Sequence, residues 1–173
     1  MTQGPLRVRT GRADDEAALH ALDVAAWDAS SVFPSVLARL DDEPFFTDDH
    51  GPDAHLVAEL DGAVAGYARL RRPTPLPESS HVVEVNGLAV SPGARGRGVA
   101  GALLAAVEVR ARAEDAAKVR LRVLGTNAVA RRVYERAGYV VEGRLRGEFR
   151  IDGVGVDDYL LARYLDPDLA DRP

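Results

Sequence analysis

The 173-residue chain contains no cysteine. That excludes disulfides, a thiolate nucleophile and any cysteine metal site. Lysine is almost missing: Lys118 is the only one, and arginine supplies every other basic residue. The phosphate loop G-x-x-x-x-G-K-[ST] therefore has no lysine to use. Four histidines are scattered without metal-ligand spacing, so no metal is expected. The longest apolar run, residues 99–107, is interrupted by Gly101 and is far too short to cross a bilayer, so no membrane partner is expected. No basic segment followed by an apolar one opens the chain, which makes a cytoplasmic location the expectation. Repeats, low-complexity tracts and linkers between domains are also absent, and this length suits one domain with a proper core.

What is present is unevenly distributed. The net charge of −5 combines 13 acids and 4 bases in residues 1–66 with 14 acids and 18 bases in residues 67–173. The basic part suits an anionic ligand and the acidic part attracts a cationic one. No basic cluster of the kind that binds nucleic acid occurs.

The most informative stretch runs from Val82 to Gly101. A β-branched strand ends near Val90, and Ser91-Pro92-Gly93 is turn chemistry. From Val99 the positions Val99, Leu103, Ala106, Val107 and Ala111 recur at helical spacing. Between strand and helix lies Arg95-Gly96-Arg97-Gly98-Val99-Ala100-Gly101. Glycines allow close backbone approach, a helix N-terminus offers N–H groups and a positive dipole end, and two arginines add full charge. This is a cradle for phosphate. The dinucleotide fingerprint G-x-G-x-x-G fits Gly96, Gly98 and Gly101, but it calls for an acidic residue about 20 positions on, at the end of the next strand. That strand ends Arg122-Val123-Leu124-Gly125-Thr126-Asn127, without an acid.

Arg95-x-x-Gly98-x-Ala100 fits a different pattern, [QR]-x-x-G-x-[GA], and resembles the acyl-CoA-binding loop of the GCN5-related N-acetyltransferase (GNAT) superfamily. Asn127-x-x-Ala130-x-x-x-Tyr134-x-x-x-Gly138-Tyr139 resembles that family's second motif, one strand further on. The rest of the chain agrees in order. Leu6–Thr10 reads as an edge strand, a helix opens at Asp14-Asp15-Glu16, and helical character resumes from Val32 to Leu40. Strands at 55–60 and 64–70 join through Asp61-Gly62, and strands at about 139–151 and 154–164 join through Asp152-Gly153. The helix after the cradle is expected from Gly98 to about Ala113, a strand at 119–123, and a last helix at 127–137 with Gly138 as its stop. The resemblance implies an α/β (α+β) fold: a single GNAT-like domain over residues 1–173, with a mixed sheet of about seven strands, about four helices and an acyl-CoA-binding core at about 82–139.

By the same resemblance the chain is expected to move an acetyl group from acetyl-CoA to a primary amine by direct attack in a ternary complex. Backbone groups of Leu88, Ala89 and Val90 would pair with the pantetheine arm, and the Val90 N–H would polarise the thioester. Amides from Arg95 through Gly96, Arg97, Gly98, Val99 and Ala100 to Gly101 would take the pyrophosphate, while Asn127 and Ala130 would touch the cofactor arm. Tyr134 would be the general acid. Glu84 is the candidate base, or else orients the amine or pairs with an arginine; Asn86, two positions on, shares its face. Trp27, Phe33 and Asn86 are candidate acceptor contacts, though core packing also accounts for the aromatics, Phe45 and Phe46 among them. Asp157 or Asp158 could hold a substrate ammonium or simply be solvated. The acceptor would be an amino acid, a small amine or a protein N-terminus, and a homodimer is compatible with the resemblance. A non-catalytic acyl-CoA-binding module and a dinucleotide-binding protein are the alternative readings.

Overall fold

The computed structural model describes residues 4–170. Seven strands form one mixed sheet in the order β1-β2-β3-β4-β5-β7-β6. They are β1 (Arg7–Thr10), β2 (His55–Leu60), β3 (Ala63–Arg71), β4 (Val82–Val90), β5 (Lys118–Leu124), β6 (Val140–Ile151) and β7 (Val154–Tyr164). The helices are α1 (Glu16–Ala26), α2 (Pro34–Leu37), α3 (Val99–Ala113), α4 (Ala128–Arg136) and α5 (Pro167–Ala170). The order expected from the sequence is observed, with one additional four-residue helix, α5. β4 and β5 run parallel, whereas β1 with β2, β2 with β3, β5 with β7 and β6 with β7 are antiparallel.

Two compact units divide the chain. One takes residues up to 70 together with 87–107, the other 71–86 together with 108 onward. In the first, the β2–β3 turn has φ of 55° at Asp61 and 82° at Gly62, the left-handed pair that a tight hairpin of matching twist requires. Glu16, at the start of α1, accepts from Phe45 N–H at 2.7 Å and Phe46 N–H at 2.9 Å, so a helix-opening carboxylate anchors the acidic 41–49 segment. Leu19, Leu22 and Ala26 on one face of α1 pack with Phe45, Val57, Tyr67 and Ala89, and Trp27, Phe46 and Val64 complete that cluster.

In the second unit, Val119, Leu121, Val123, Leu161 and Ala162 are buried where β5 lies beside β7. The β6–β7 turn repeats the left-handed pair at Asp152 (φ 49°) and Gly153 (φ 80°). Gly138, with φ of 83°, ends α4, donating to Glu135 O at 3.0 Å while Tyr139 N–H reaches Tyr134 O at 3.0 Å.

One helix is shorter than the spacing predicts. The expected span Val32–Leu40 contains only α2, four residues long. Pro34 can occupy a first turn, but beyond Leu37 the chain passes into three-residue turns, Arg39 N–H to Val36 O and Asp42 N–H to Arg39 O, both 3.0 Å. The acids from Asp41 onward leave no apolar face to continue burying.

Candidate active site

The cradle lies wholly in the first unit. After β4, Ser91 N–H donates to Ala65 O at 2.9 Å and ties the strand's end to β3. Gly66 sets how closely these pieces meet: a Cβ there would lie 2.8 Å from Ala89 O and 2.9 Å from Val99 Cγ1. Residues 92–94 form a single tight turn, and Gly96 (φ 75°) and Gly98 (φ 83°) take the left-handed conformation that side chains resist. The first bond of the α3 ladder is Ala102 N–H to Gly98 O at 3.0 Å, so the N–H groups of Val99, Ala100 and Gly101 precede it without intrahelical partners. Arg95 and Arg97 N–H make only long turn contacts of 3.4 Å. A Cβ at Gly96, Gly98 or Gly101 would meet nothing within 4 Å, so the loop has open space on its side-chain side at these positions. Such a row of donors fits a pyrophosphate.

The two arginines do more structural work than the sequence suggests. Arg95 Nη2 donates to Ala26 O at 2.8 Å, pinning the loop to the end of α1. Arg97 Nη2 pairs with Asp61 Oδ2 in the β2–β3 turn at 2.8 Å. Leu88 and Val90 are half-buried and Ala89 is buried.

Of the candidate acceptor aromatics in this unit, Trp27 sits at the C-terminal cap of α1, packed on the core cluster, with its indole N–H donating to Asp23 Oδ1. Phe33 precedes α2 and is half-buried outside that cluster. Phe45 is core, with its ring 4.9 Å from Tyr67 and 5.0 Å from His55.

The second unit holds the remaining candidates. Asn127 caps α4, its Oδ1 accepting from Ala130 N–H at 3.0 Å, so these two motif residues hold each other. Tyr134 is buried on α4, and its hydroxyl takes no hydrogen bond among the described residues. Burial pushes its pKa up to about 12 from an ordinary value that already leaves the phenol protonated at neutral pH. Its ring centroid is 6.0 Å from that of Tyr139.

Glu84, in β4, is 3% exposed. Its Oε1 accepts from Arg71 Nε at 2.7 Å and from Arg71 Nη2, and its Oε2 accepts from Arg120 Nε at 2.8 Å. Arg120 is its direct cross-strand neighbour on β5. Of the roles open to Glu84, pairing with arginine is therefore the one present here, and it is doubled. Asn86 is half-buried two residues on. Asp158 is not a solvated carboxylate: it is 2% exposed and pairs with Arg122 Nε at 2.5 Å. Asp157 accepts from Gly147 N–H at 2.8 Å and pairs with Arg144. His81 is exposed, and among the described residues no group of three metal-binding side chains occurs. Among the described residues no helix is long and apolar enough to cross a membrane.

Sequence reasoning named the loop and the two motif residues but passed over Asp23, Tyr67 and Gly66. The signal for Gly66 was a glycine inside a strand, which marks close backbone approach. Asp23 had no local signal beyond its place in the acidic part of the chain.

A β-strand, a left-handed glycine loop and a helix with unladdered amides together make an anion-binding arrangement in the first unit. Residues 19–139 match the profile of the Acetyltransferase (GNAT) family, and the chain belongs to that family. An uncharacterised N-acetyltransferase of Mycobacterium tuberculosis is 34% identical over 112 residues, covering 65% of this chain and 67% of that protein. Two solved structures share the fold. An N-acetyltransferase from Staphylococcus aureus superposes with a TM-score of 0.73 at 19% identity, over 94% of this chain and 100% of that one. A GNAT superfamily phosphinothricin acetyltransferase from Sinorhizobium meliloti, solved in complex with acetyl-CoA, does so with a TM-score of 0.70 at 21% identity, over 97% and 92%.

Proposed function

We propose that the chain is a cytoplasmic N-acetyltransferase, one domain over residues 1–173 with its acyl-CoA-binding core at about 82–139, that acetylates a primary amine by direct attack within a ternary complex. The observation that carries this reading is the pair of left-handed glycines, Gly96 and Gly98, set before the open amides of α3. Acetyl-CoA as co-substrate supplies the thioester. The amides of Gly96, Gly98, Val99, Ala100 and Gly101 hold its pyrophosphate, with Arg95 and Arg97 adding positive charge and bracing the loop through Ala26 and Asp61. Backbone groups of Leu88, Ala89 and Val90 extend the sheet along the pantetheine arm, and Val90 N–H stabilises the developing oxyanion.

Tyr134 donates its proton to the departing thiolate, a role supported by its place in the second motif and by a hydroxyl with no hydrogen bond among the described residues. Asn127 and Ala130 fix the α4 terminus that carries Tyr134 and keep the Asn127 amide nitrogen for the cofactor arm. For Glu84, contacts to two guanidinium groups support the arginine-pairing role over proton acceptance, because both oxygens are filled. Trp27, Phe33 and Asn86 remain the proposed acceptor contacts, and the acceptor is a small amine, an amino acid or a peptide N-terminus.

The test is release of CoA thiol from acetyl-CoA in the presence of a primary amine. Amine-dependent release that Tyr134→Phe lowers supports the enzyme. The filled Glu84 carboxylate favours one other reading, a non-catalytic acyl-CoA-binding module, and acetyl-CoA binding without thiol release for any amine would establish it.

A further inference from the structure

The first unit contains a second carboxylate whose surroundings differ from those of every ion-paired acid in the molecule. Asp23 lies on the last turn of α1, half-buried. Its Oδ1 accepts from two neutral donors, the Trp27 indole N–H and the Tyr67 hydroxyl. Among the described residues its Oδ2 takes no hydrogen bond and Asp23 enters no ion pair. Indole N–H can only donate, and Tyr67 is fully buried and held well above the ordinary tyrosine range by that burial and by the Asp23 charge. Both groups therefore fix the carboxylate in one orientation without neutralising it. A half-buried carboxylate held in place, with one oxygen open and no ion pair among the described residues, can receive a cation, and the Arg69 guanidinium, 3.5 Å from where a Gly87 Cβ would be, stands on the far side of Tyr67.

Its position links it to the cradle. Three residues on, Ala26 O receives Arg95 of the phosphate loop at 2.8 Å. On the other side, the Tyr67 ring flanks β4 where the proposed pantetheine strand begins, its Cε2 lying 3.6 Å from where a Gly87 Cβ would be. The 28–53 segment that follows α1 carries seven exposed acids against a single arginine, Arg39, and Arg39 is engaged by Glu43 at 3.2 Å. That field draws cations toward α1 but does not itself make the site.

The chemistry restricts which cation. An ammonium held against a carboxylate keeps its proton, and its lone pair is unavailable for attack. The cation bound there is therefore not the amine that is acetylated. We infer that Asp23 Oδ2 is the specificity-determining group of the acceptor site and takes the second, non-reacting ammonium of a diamine or similar dication. This rests on the acetyltransferase reading above for its link to catalysis, but the binding itself can be measured without turnover.

Trp27 is the only tryptophan in the chain, and its indole is bonded to Asp23, so its fluorescence reports directly on this carboxylate. The probes are the α,ω-diamines from propane-1,3-diamine to hexane-1,6-diamine, each compared with the monoamine in which one terminal nitrogen becomes a methyl group. In the wild-type protein saturated with CoA, at least one diamine should change Trp27 fluorescence saturably and at least tenfold more tightly than its monoamine. Asp23→Asn keeps an oxygen for Trp27 and Tyr67 but removes the charge. It should abolish that preference while leaving stabilisation by CoA within twofold in affinity. Raising the salt concentration should erode the preference in the wild-type protein as well, a check that needs no variant.

Absence of any diamine preference in the wild-type protein, or its survival in Asp23→Asn, overturns the inference. Asp23-dependent diamine binding without thiol release from acetyl-CoA leaves the inference standing and removes the catalytic reading. Thiol release with monoamines and diamines alike, unaffected by Asp23→Asn, removes the inference alone.

Discussion

Glu84 in the second unit and Asp23 in the first are both carboxylates drawn out of solvent, Glu84 almost fully and Asp23 by about half, and their charges are met in opposite ways. Glu84 is flanked by Arg71 and Arg120, so its charge is matched on both oxygens. Asp23 is flanked by an indole and a phenol, so its charge is oriented and left unmatched. The first arrangement holds β3, β4 and β5 residues of one unit together; the second leaves a charge for something else to meet. The identity of the neighbours, rather than the presence of a carboxylate on a well-placed element, separates a structural acid from a recognition site.

The largest effect is expected away from both acids. Tyr134→Phe keeps the ring that packs near Tyr139 and removes only the hydroxyl, so kcat should fall by roughly 10²–10⁴ while acetyl-CoA affinity stays within twofold. An equal loss of kcat in Glu84→Gln would turn the comparison around and make Glu84 chemical after all. Next in size is the cradle. Gly66→Ala would press a methyl group against Ala89 O and Val99, and Gly98→Ala would force a side chain into φ of 83°. Each should weaken acetyl-CoA binding about tenfold or more, measured by calorimetry, because both displace backbone that the phosphate must meet.

These expectations also mark what could be read from the chain alone. The glycine loop's conformation was legible because a left-handed backbone needs glycine and a helix start needs a particular context; both leave traces at fixed spacing in Arg95–Gly101. The hairpins at Asp61-Gly62 and Asp152-Gly153 were legible for the same local reason. Asp23 was not, since its partner Tyr67 is 44 positions away and their contact exists only once α1 lies on β3. The twofold pairing of Glu84 was hidden likewise: Arg120 becomes its neighbour only through the parallel register of β4 and β5. Pairwise long-range neutralisation has no sequence period.

Smaller effects concern stability. Glu84→Ala strands two guanidinium groups, but these are 45% and 43% exposed, so water screens them and the cost should be about 2 kcal/mol, several degrees in Tm. If Glu84→Ala costs nothing, the pairing is not structural and the contrast with Asp23 fails.

His55 offers a pH-dependent check on the first unit. It is fully buried, its Nδ1–H donates to Gly51 O at 2.9 Å, and its Nε2 has no partner among the described residues. Burial lowers it from 6.5 to about 4. The folded state favours the neutral ring, so its contribution is complete above pH 6.5 and is lost as pH falls toward 4, about 3 kcal/mol in all. Comparing denaturant midpoints of the wild type and His55→Phe across that window should show the wild type alone losing this increment.

The most direct test of the account is thermal denaturation of the full chain with acetyl-CoA, CoA and NAD offered separately. A ligand at 100 times its dissociation constant adds about 2.7 kcal/mol, which raises Tm by several degrees. The account predicts that acetyl-CoA and CoA stabilise the protein and NAD does not. Stabilisation by NAD alone would contradict it and return Gly96, Gly98 and Gly101 to the dinucleotide fingerprint.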